Sequence, residues 1–415
     1  MFEYFFCYPA RIKKLHDGPG GPILERFAKE LHQSGYAKTT AQRYIRAVEH
    51  LIYWLDREGI PISSLSEEFV YRFDRHFNGY QCPRFSHSTR MEILSGLRLF
   101  LKHLQGIGVI DASVNEPSTQ DPVLLVEFYQ WMRQQRGTCD ATLYNYSHSI
   151  RDLINRFGDD PAKFNARILR QFVLEKSQQC GWAAAKTCTT ALRMFLRFLI
   201  ANGKCAATLY GAIPVLAHWR LSSLPRYLQP EEVERVISSC NLISPVGKRD
   251  RAILLLLARL GFRAGDIVQL RLDDIDWEEA TIQVSGKSRR QVRLPLTQEV
   301  GDAISDYLLY GRPRTDANEL FIRSRAPFRA FASHCAVSVL VACAMRRAGV
   351  TCKSRGAAHV LRHSAATSML RQGTSLQDIA AILRHHSIET TQIYAKVDVN
   401  ALQQIAQPWP EALSC

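Results

Sequence analysis

The chain has 415 residues, too long for one ordinary core, and at roughly 150 residues per domain it should hold two or three. Hydrophobic residues make up 46% and charged residues 22%, the balance of folded domains and not of a disordered or fibrous chain. The net charge of +14 points to a polyanionic partner, of which nucleic acid is the commonest. The longest purely apolar run, Ala252 to Ala258, is far short of the roughly 20 residues that span a bilayer. The opening stretch carries Glu3 early and has no basic region ahead of an apolar core, so no secretory signal is expected. Eleven cysteines with no C-x-x-C pair give neither a disulfide framework nor a zinc knuckle, which suits a reducing, cytoplasmic setting.

The first half reads as two helical modules. Thr40, Tyr44, Val48, Leu51, Ile52 and Leu55 align with Thr142, Tyr146, Ile150, Leu153, Ile154 and Phe157. Leu97 to Lys102 parallels Leu192 to Arg197, and each stretch then reaches a glycine, Gly108 or Gly203, where a helix can end. Apolar positions recur at three and four residue steps, the helical period. The segment Gly211 to Pro225 carries prolines and serines without periodicity and reads as a linker. A new helix opens at Pro230, with Glu231 and Glu232 in its first turn and Gln229 as a weak N-cap. Arg249 to Leu260 is helical and buried in pattern, and a short helix follows Gly265. Thr281 to Val284 and Gln291 to Leu294 read as strands of a hairpin around the basic turn Ser285 to Arg290. Helical patterns resume from about Glu299, including a short one from Val399 to Ile405.

Five segments in the last domain stand out: Arg263 in Gly261 to Asp266, Lys287 in the hairpin, His359 to His363, Leu383 to Ser387, and Tyr394. Each alone has an ordinary reading, as a surface arginine, a solvated lysine or a core tyrosine. His359 and Arg362 share a helix face. His359 and His363, four apart, have the spacing of a metal pair, but Val360 stands where a zinc hydrolase needs glutamate. No metal or other cofactor is expected.

Taken together, in this order and spacing, the segments resemble the tyrosine recombinase (phage integrase) family. Its signature is Arg, a hairpin Lys, H-x-x-R, His or Trp, and a Tyr about nine residues on. Here His385 precedes Tyr394 by nine, and LRHHSIETTQIY (Leu383 to Tyr394) is similar to the family's L-G-H-x-S-I-x-T-T-x-x-Y. The resemblance covers residues 226–397, and less closely the second helical module as a core-binding domain. It implies catalytic residues Arg263, Lys287, His359, Arg362, His385 and Tyr394. Attack on a phosphodiester builds negative charge on the non-bridging oxygens, and two guanidiniums with a histidine can hold it. Tyr394 would be the nucleophile, His359 its proton acceptor or relay, and Lys287 the general acid for the leaving 5′ oxygen. The implied product is a 3′-phosphotyrosine, formed without metal or ATP.

Three positions depart from the pattern. Arg384 stands for the usual Gly, Val360 for a common Asp, and Asp266 for a common Glu. If position 384 needs a positive φ, an arginine there costs about 1 kcal/mol or more, though it could add a phosphate contact. The expected architecture is mainly α: an N-terminal helical DNA-binding module (1–112), a second SAM-like core-binding module (113–212), a linker (213–225), and a mostly α catalytic domain with a small antiparallel sheet (226–415). Further candidates for DNA contact are Lys38, Arg43 and Arg46 on one amphipathic helix, and Arg289 and Arg290 in the hairpin. The expected partner is double-stranded DNA carrying recombination sites, bound by a homo-tetramer coupled through the tail, with related recombinases as further candidates. The expected location is the cytoplasm, at the nucleoid, with no membrane contact. Two other readings stay open: a type IB topoisomerase-like enzyme, and a DNA-binding protein that has lost catalysis.

Overall fold

A computed structural model describes residues 1–78, 90–110, 121–216, 224–285, 291–351, 356–397 and 402–403. Lys287, Arg289, Arg290 and most of the 399–405 helical pattern therefore lie outside the described residues. The chain divides into two compact units, Asp111–Arg220 and Met1–Ile110 together with Leu221–Cys415.

In the first 110 residues lie α1 (Phe2–Phe5), α2 (Pro9–Asp17), α3 (Gly21–Gln33), α4 (Lys38–Arg57), α5 (Glu67–Asn78) and α6 (Arg90–Gly106). Helix α4 buries Ala41, Ile45, Val48, Leu51, Ile52 and Leu55 at helical spacing, and α6 answers with Leu97, Phe100, Leu101 and Leu104. The Phe27 and Phe100 rings meet edge to face at 5.3 Å. The unit Asp111–Arg220 repeats the scheme. It holds α7 (Val123–Arg136), α8 (Asp140–Phe157), α9 (Ala166–Gln179) and α10 (Trp182–Ala201). Helix α8 packs on α10 through Leu143, Ile150, Leu153 and Ile154 against Leu192, Phe195 and Leu199.

The repeat extends to how the helices stop. Gly108 and Gly203 take φ of 70° and 65°, a left-handed conformation that glycine adopts freely. Beyond them the Val109 N–H reaches back to the Leu104 carbonyl at 2.9 Å, and the Lys204 N–H to that of Leu199 at 2.8 Å, the same six-to-one closure of a helix end.

The last part holds α11 (Pro230–Ser238), α12 (Pro245–Arg259), α13 (Ala264–Gln269), β1 (Ile275–Asp276), β2 (Thr281–Ser285), β3 (Gln291–Pro295), α14 (Gln298–Tyr310), α15 (His334–Arg347), α16 (Ala357–Arg371), α17 (Leu376–Ile382) and α18 (Gln392–Ala395). The weak N-cap at Gln229 is relieved from the other side: the Glu232 carboxylate accepts the Gln229 N–H at 3.0 Å. The strands form an antiparallel sheet in the order β1-β2-β3, with Ile282 opposite Leu294 and Val284 opposite Val292. Two strands were expected; β1, of two residues, is too short to show a period.

Helices α12 and α16 carry the site. Helix α12 is buried from Ala252 to Ala258 and packs on α14 and α16. Helix α16 is buried around most of its circumference, with Ala357, Ala358, Ala365, Ala366 and Ser364 letting neighbours approach closely. From this helix Arg362, Ser364 and Thr367 are buried, while His359 and Arg371 stay exposed. Among the described residues no helix is long and apolar enough to cross a membrane.

The first bundle depends on the α4–α6 seam. Phe100→Ala, at a fully buried position, should cost about 3–5 kcal/mol, read as a lower urea midpoint for loss of helical circular dichroism.

Candidate active site

Three turns bring the functional side chains together. The first follows α12, where Gly261 takes φ of 60°. A Cβ there would lie 2.4 Å from Leu383 Cδ2, so the position needs glycine for its conformation and for close approach. The turn delivers Arg263 to the N-terminus of α13, where its main-chain N–H donates to Asp266 Oδ2 at 2.8 Å. The second turn follows α17, where Arg384 takes φ of 54°. The third is the short helix α18, which presents Tyr394.

Arg362 projects from α16 into this space and is 4% exposed. Its Nη1 donates to the Gly261 carbonyl and its Nη2 to the Leu383 carbonyl. Arg263 Nη2 donates to the Arg384 carbonyl at 3.2 Å. Thus the turn at 383–384 holds both guanidiniums through its backbone. His385 Nδ1 lies 2.7 Å from Thr391 Oγ1, which ties the turn to the approach of α18. Tyr394 is 1% exposed and packs with Ala366, Ile379 and Leu383. Its hydroxyl lies 2.9 Å from His363 Nδ1.

The electrostatics follow from burial and from a surplus of cations. Burial pushes the Tyr394 phenol up to about 12, with Arg362 and Arg263 pulling against it. Burial, then the charges of His359 and Arg362, holds His363 down to about 4. Burial, then Arg362 and Arg263, does the same to His385, also to about 4. Arg362 is lowered by burial and by Arg263 and Arg384. His359 stands at the rim with an exposed edge; packing around the rest of its ring, then Arg362 and Arg263, lowers its pKa. At neutral pH the site therefore holds neutral imidazoles, a protonated phenol and fixed guanidinium charge.

Of the residues singled out from sequence, Arg263, Arg362, His385 and Tyr394 lie together and His359 borders them. Lys287 lies outside the described residues. His363 was considered only as a metal partner for His359, yet it is the histidine in contact with the phenol. Its signal was the spacing of four from His359, which puts both imidazoles on one face of α16. Among the described residues no group of three His, Cys, Asp or Glu could hold a metal. Arg384, considered as a phosphate contact, is otherwise engaged: its side chain is 4% exposed, its Nη2 meets Asp266 Oδ2 at 2.6 Å, and its guanidinium lies over the Phe262 ring at 5.0 Å. On α4, Arg43 pairs with Glu92 at 2.7 Å. Lys38 and Arg46 are exposed, their cations near the Tyr4 and Phe6 rings at 5.9 and 5.8 Å.

Residues 226–401 match the phage integrase family, and residues 23–110 match the "Phage integrase, N-terminal SAM-like domain". The second match falls on the first bundle and not on the second, which the sequence had likened to a core-binding domain. The putative integrase/recombinase y4rA of Sinorhizobium fredii is 35% identical over 98% of this chain and 99% of its own length. The tyrosine recombinase XerA of Thermococcus onnurineus is 30% identical over 68% of this chain and 93% of its own. Among solved structures, XerH bound to palindromic difH substrate after cleavage superposes with a TM-score of 0.56 at 19% identity, covering 69% of this chain and 85% of that one. A lambda integrase (75–356) dimer on a core site gives 0.52 at 18% identity, covering 69% and 97%.

Two measurements probe the site. His363 and His385 have folded pKa values below the ordinary 6.5, so the unfolded chain binds their protons first. Stability should be full above about pH 6.5 and fall as the pH drops toward 4, a slope visible in thermal melts and shallower in His363→Asn. Gly261→Ala should destabilise by about 1–3 kcal/mol through positive φ and overlap with Leu383, measured by chemical denaturation.

Proposed function

Because the chain belongs to the phage integrase family and is a tyrosine-type site-specific recombinase acting on double-stranded DNA, we propose that Tyr394 is its nucleophile and that Arg263, Arg362 and His385 hold the scissile phosphate. The observation that carries this reading is the buried phenol of Tyr394 beside two guanidiniums fixed by backbone carbonyls. Such guanidiniums are spare cations, already oriented, with donors left for the non-bridging oxygens of a phosphate. Preorganised donors of this kind commonly supply roughly 3–4 kcal/mol each to a charged transition state.

The reaction balances without an external energy source. The Tyr394 oxygen attacks phosphorus as the phosphorus–O5′ bond breaks. The phenolic proton passes to His363 Nδ1, the acceptor within hydrogen-bond reach, and His359 relays it at the solvent-facing rim. Lys287 gives a proton to the departing 5′ oxygen. The 3′-phosphotyrosine conserves the phosphodiester bond, so a second 5′ hydroxyl can reverse the step on another strand. Neither metal nor ATP enters the scheme. Exchange of four strands calls for four such sites, so the active assembly on paired DNA is a tetramer. The second helical bundle contributes to the grip on DNA, and Lys38 and Arg46 add phosphate contacts from the first.

The test is a nicked suicide duplex and a denaturing gel. Wild type should form a covalent protein–DNA adduct in EDTA without ATP, and Tyr394→Phe should form none. Arg263→Ala and Arg362→Ala should each slow adduct formation by about 10²–10³. His363→Gln should lower the cleavage rate by about 10²-fold while leaving DNA affinity unchanged. An adduct that survives Tyr394→Phe would refute the assignment. Supercoil relaxation by a monomer on a single site would favour topoisomerase behaviour over paired exchange.

A further inference from the structure

The side chain of Arg384 is not explained by the scheme above. It lies in a left-handed conformation that L-residues avoid. Its Nε and Nη1 are buried without a hydrogen-bond partner, so its burial is costly as well. Of its side-chain nitrogens only Nη2 makes a hydrogen bond, with Asp266 Oδ2 at 2.6 Å, while the guanidinium stacks over the Phe262 ring. A position needed solely for its turn would be served better by glycine. Asp266 supplies the reason for an arginine. Its carboxylate is pinned beside Arg263, because the same Oδ2 accepts the Arg263 main-chain N–H. A buried carboxylate demands a cation, and the two arginines joined to this corner are Arg384 through its guanidinium and Arg263 through its main chain. The structure gives Asp266 to Arg384, while Arg263 donates to the Arg384 carbonyl. Two of the three positions that departed from the family pattern, 266 and 384, thus meet in one ion pair.

We propose that Arg384 is a positioning residue for Arg263: it occupies the Asp266 carboxylate so that the Arg263 guanidinium stays free for the DNA phosphate. This rests on the reading of Arg263 as a phosphate ligand. Without Arg384 the carboxylate captures Arg263 and competes with the phosphate. Removing the carboxylate as well removes the competitor. The positive φ, considered by itself, predicts the opposite: glycine at 384 relieves strain and leaves activity unchanged or better.

The experiment uses the full chain and a nicked duplex isolated from a random-sequence library by covalent capture on the wild-type protein. Adduct rate at saturating duplex, affinity by gel shift and thermal midpoint are measured for wild type, Arg384→Gly, Asp266→Asn and the double variant. Arg384→Gly should slow adduct formation by about tenfold or more, with affinity changed less than about threefold, and the double variant should recover to within about threefold of wild type. Arg384→Gly at the wild-type rate overturns the proposal, as does a double variant no faster than Arg384→Gly. If Arg384→Gly does not fold, Arg384→Lys and Arg384→Gln decide. Lysine, which keeps a cation on Asp266, should be faster than glutamine by about tenfold, and equal rates overturn the proposal. A wild type that captures no duplex defeats the cleavage reading itself, and this inference with it.

Discussion

Arg362 is a cation buried inside a protein and held by carbonyl oxygens instead of a carboxylate. A charge taken out of water without a counter-ion is expensive, and its cost falls when fixed dipoles point at it. Here the dipoles belong to two turns that would otherwise have no reason to touch, one after α12 and one after α17. Gly261 and Arg384 bend the chain with positive φ so that the carbonyls of Gly261, Leu383 and Arg384 face inward. Much of the catalytic region serves this arrangement. Helix α16 is enclosed so that Arg362 must point in, α12 is apolar so that it can lie against α16, and α17 is short so that its end reaches the guanidiniums. What the carbonyls do not neutralise is the charge itself, which remains for an anion to meet.

The helical units have a different logic. Each buries one long amphipathic helix against another and closes the second with a glycine and a six-to-one hydrogen bond. That leaves the outer faces of α4 and α8 polar. Part of that polarity is consumed internally, as in the pair of Arg43 with Glu92. The overall positive charge therefore overstates the number of basic side chains available to DNA, and a count of lysines and arginines on a helical wheel cannot separate the two populations.

The repeat, the helix starting at Pro230 and the hairpin strands were legible because each rests on local periodicity or on Pro and Gly chemistry. Arg263, Arg362, His385 and Tyr394 were singled out as a group only because their order and spacing resemble the tyrosine recombinase signature, and the fold brings them close together. Three features were not. Strand β1 is too short to carry a pattern. The contact of His363 with Tyr394 joins residues 31 apart in sequence, and nothing local marks which histidine on a shared face will meet the phenol. The pairing of Arg384 with Asp266 spans 118 residues. The sequence showed both residues as separate oddities, and only the fold makes them one interaction.

The protonation states explain why such a site can wait for its substrate. The phenol is held well above neutrality by burial, and the two imidazoles are held neutral by burial first, then by His359 and Arg362 at His363 and by Arg362 and Arg263 at His385. Guanidinium charge alone does not ionise Tyr394, because desolvation outweighs it. With Arg263 and Arg362 in their proposed role, a phosphate bound between them changes the balance. Its charge offsets that of Arg362, which after burial and His359 lowers the basicity of His363. The same anion thus makes the acceptor more basic and supplies the electrophile. On the proposed assignment of Tyr394 and the two arginines, nucleophile activation is coupled to substrate binding through the field of fixed cations.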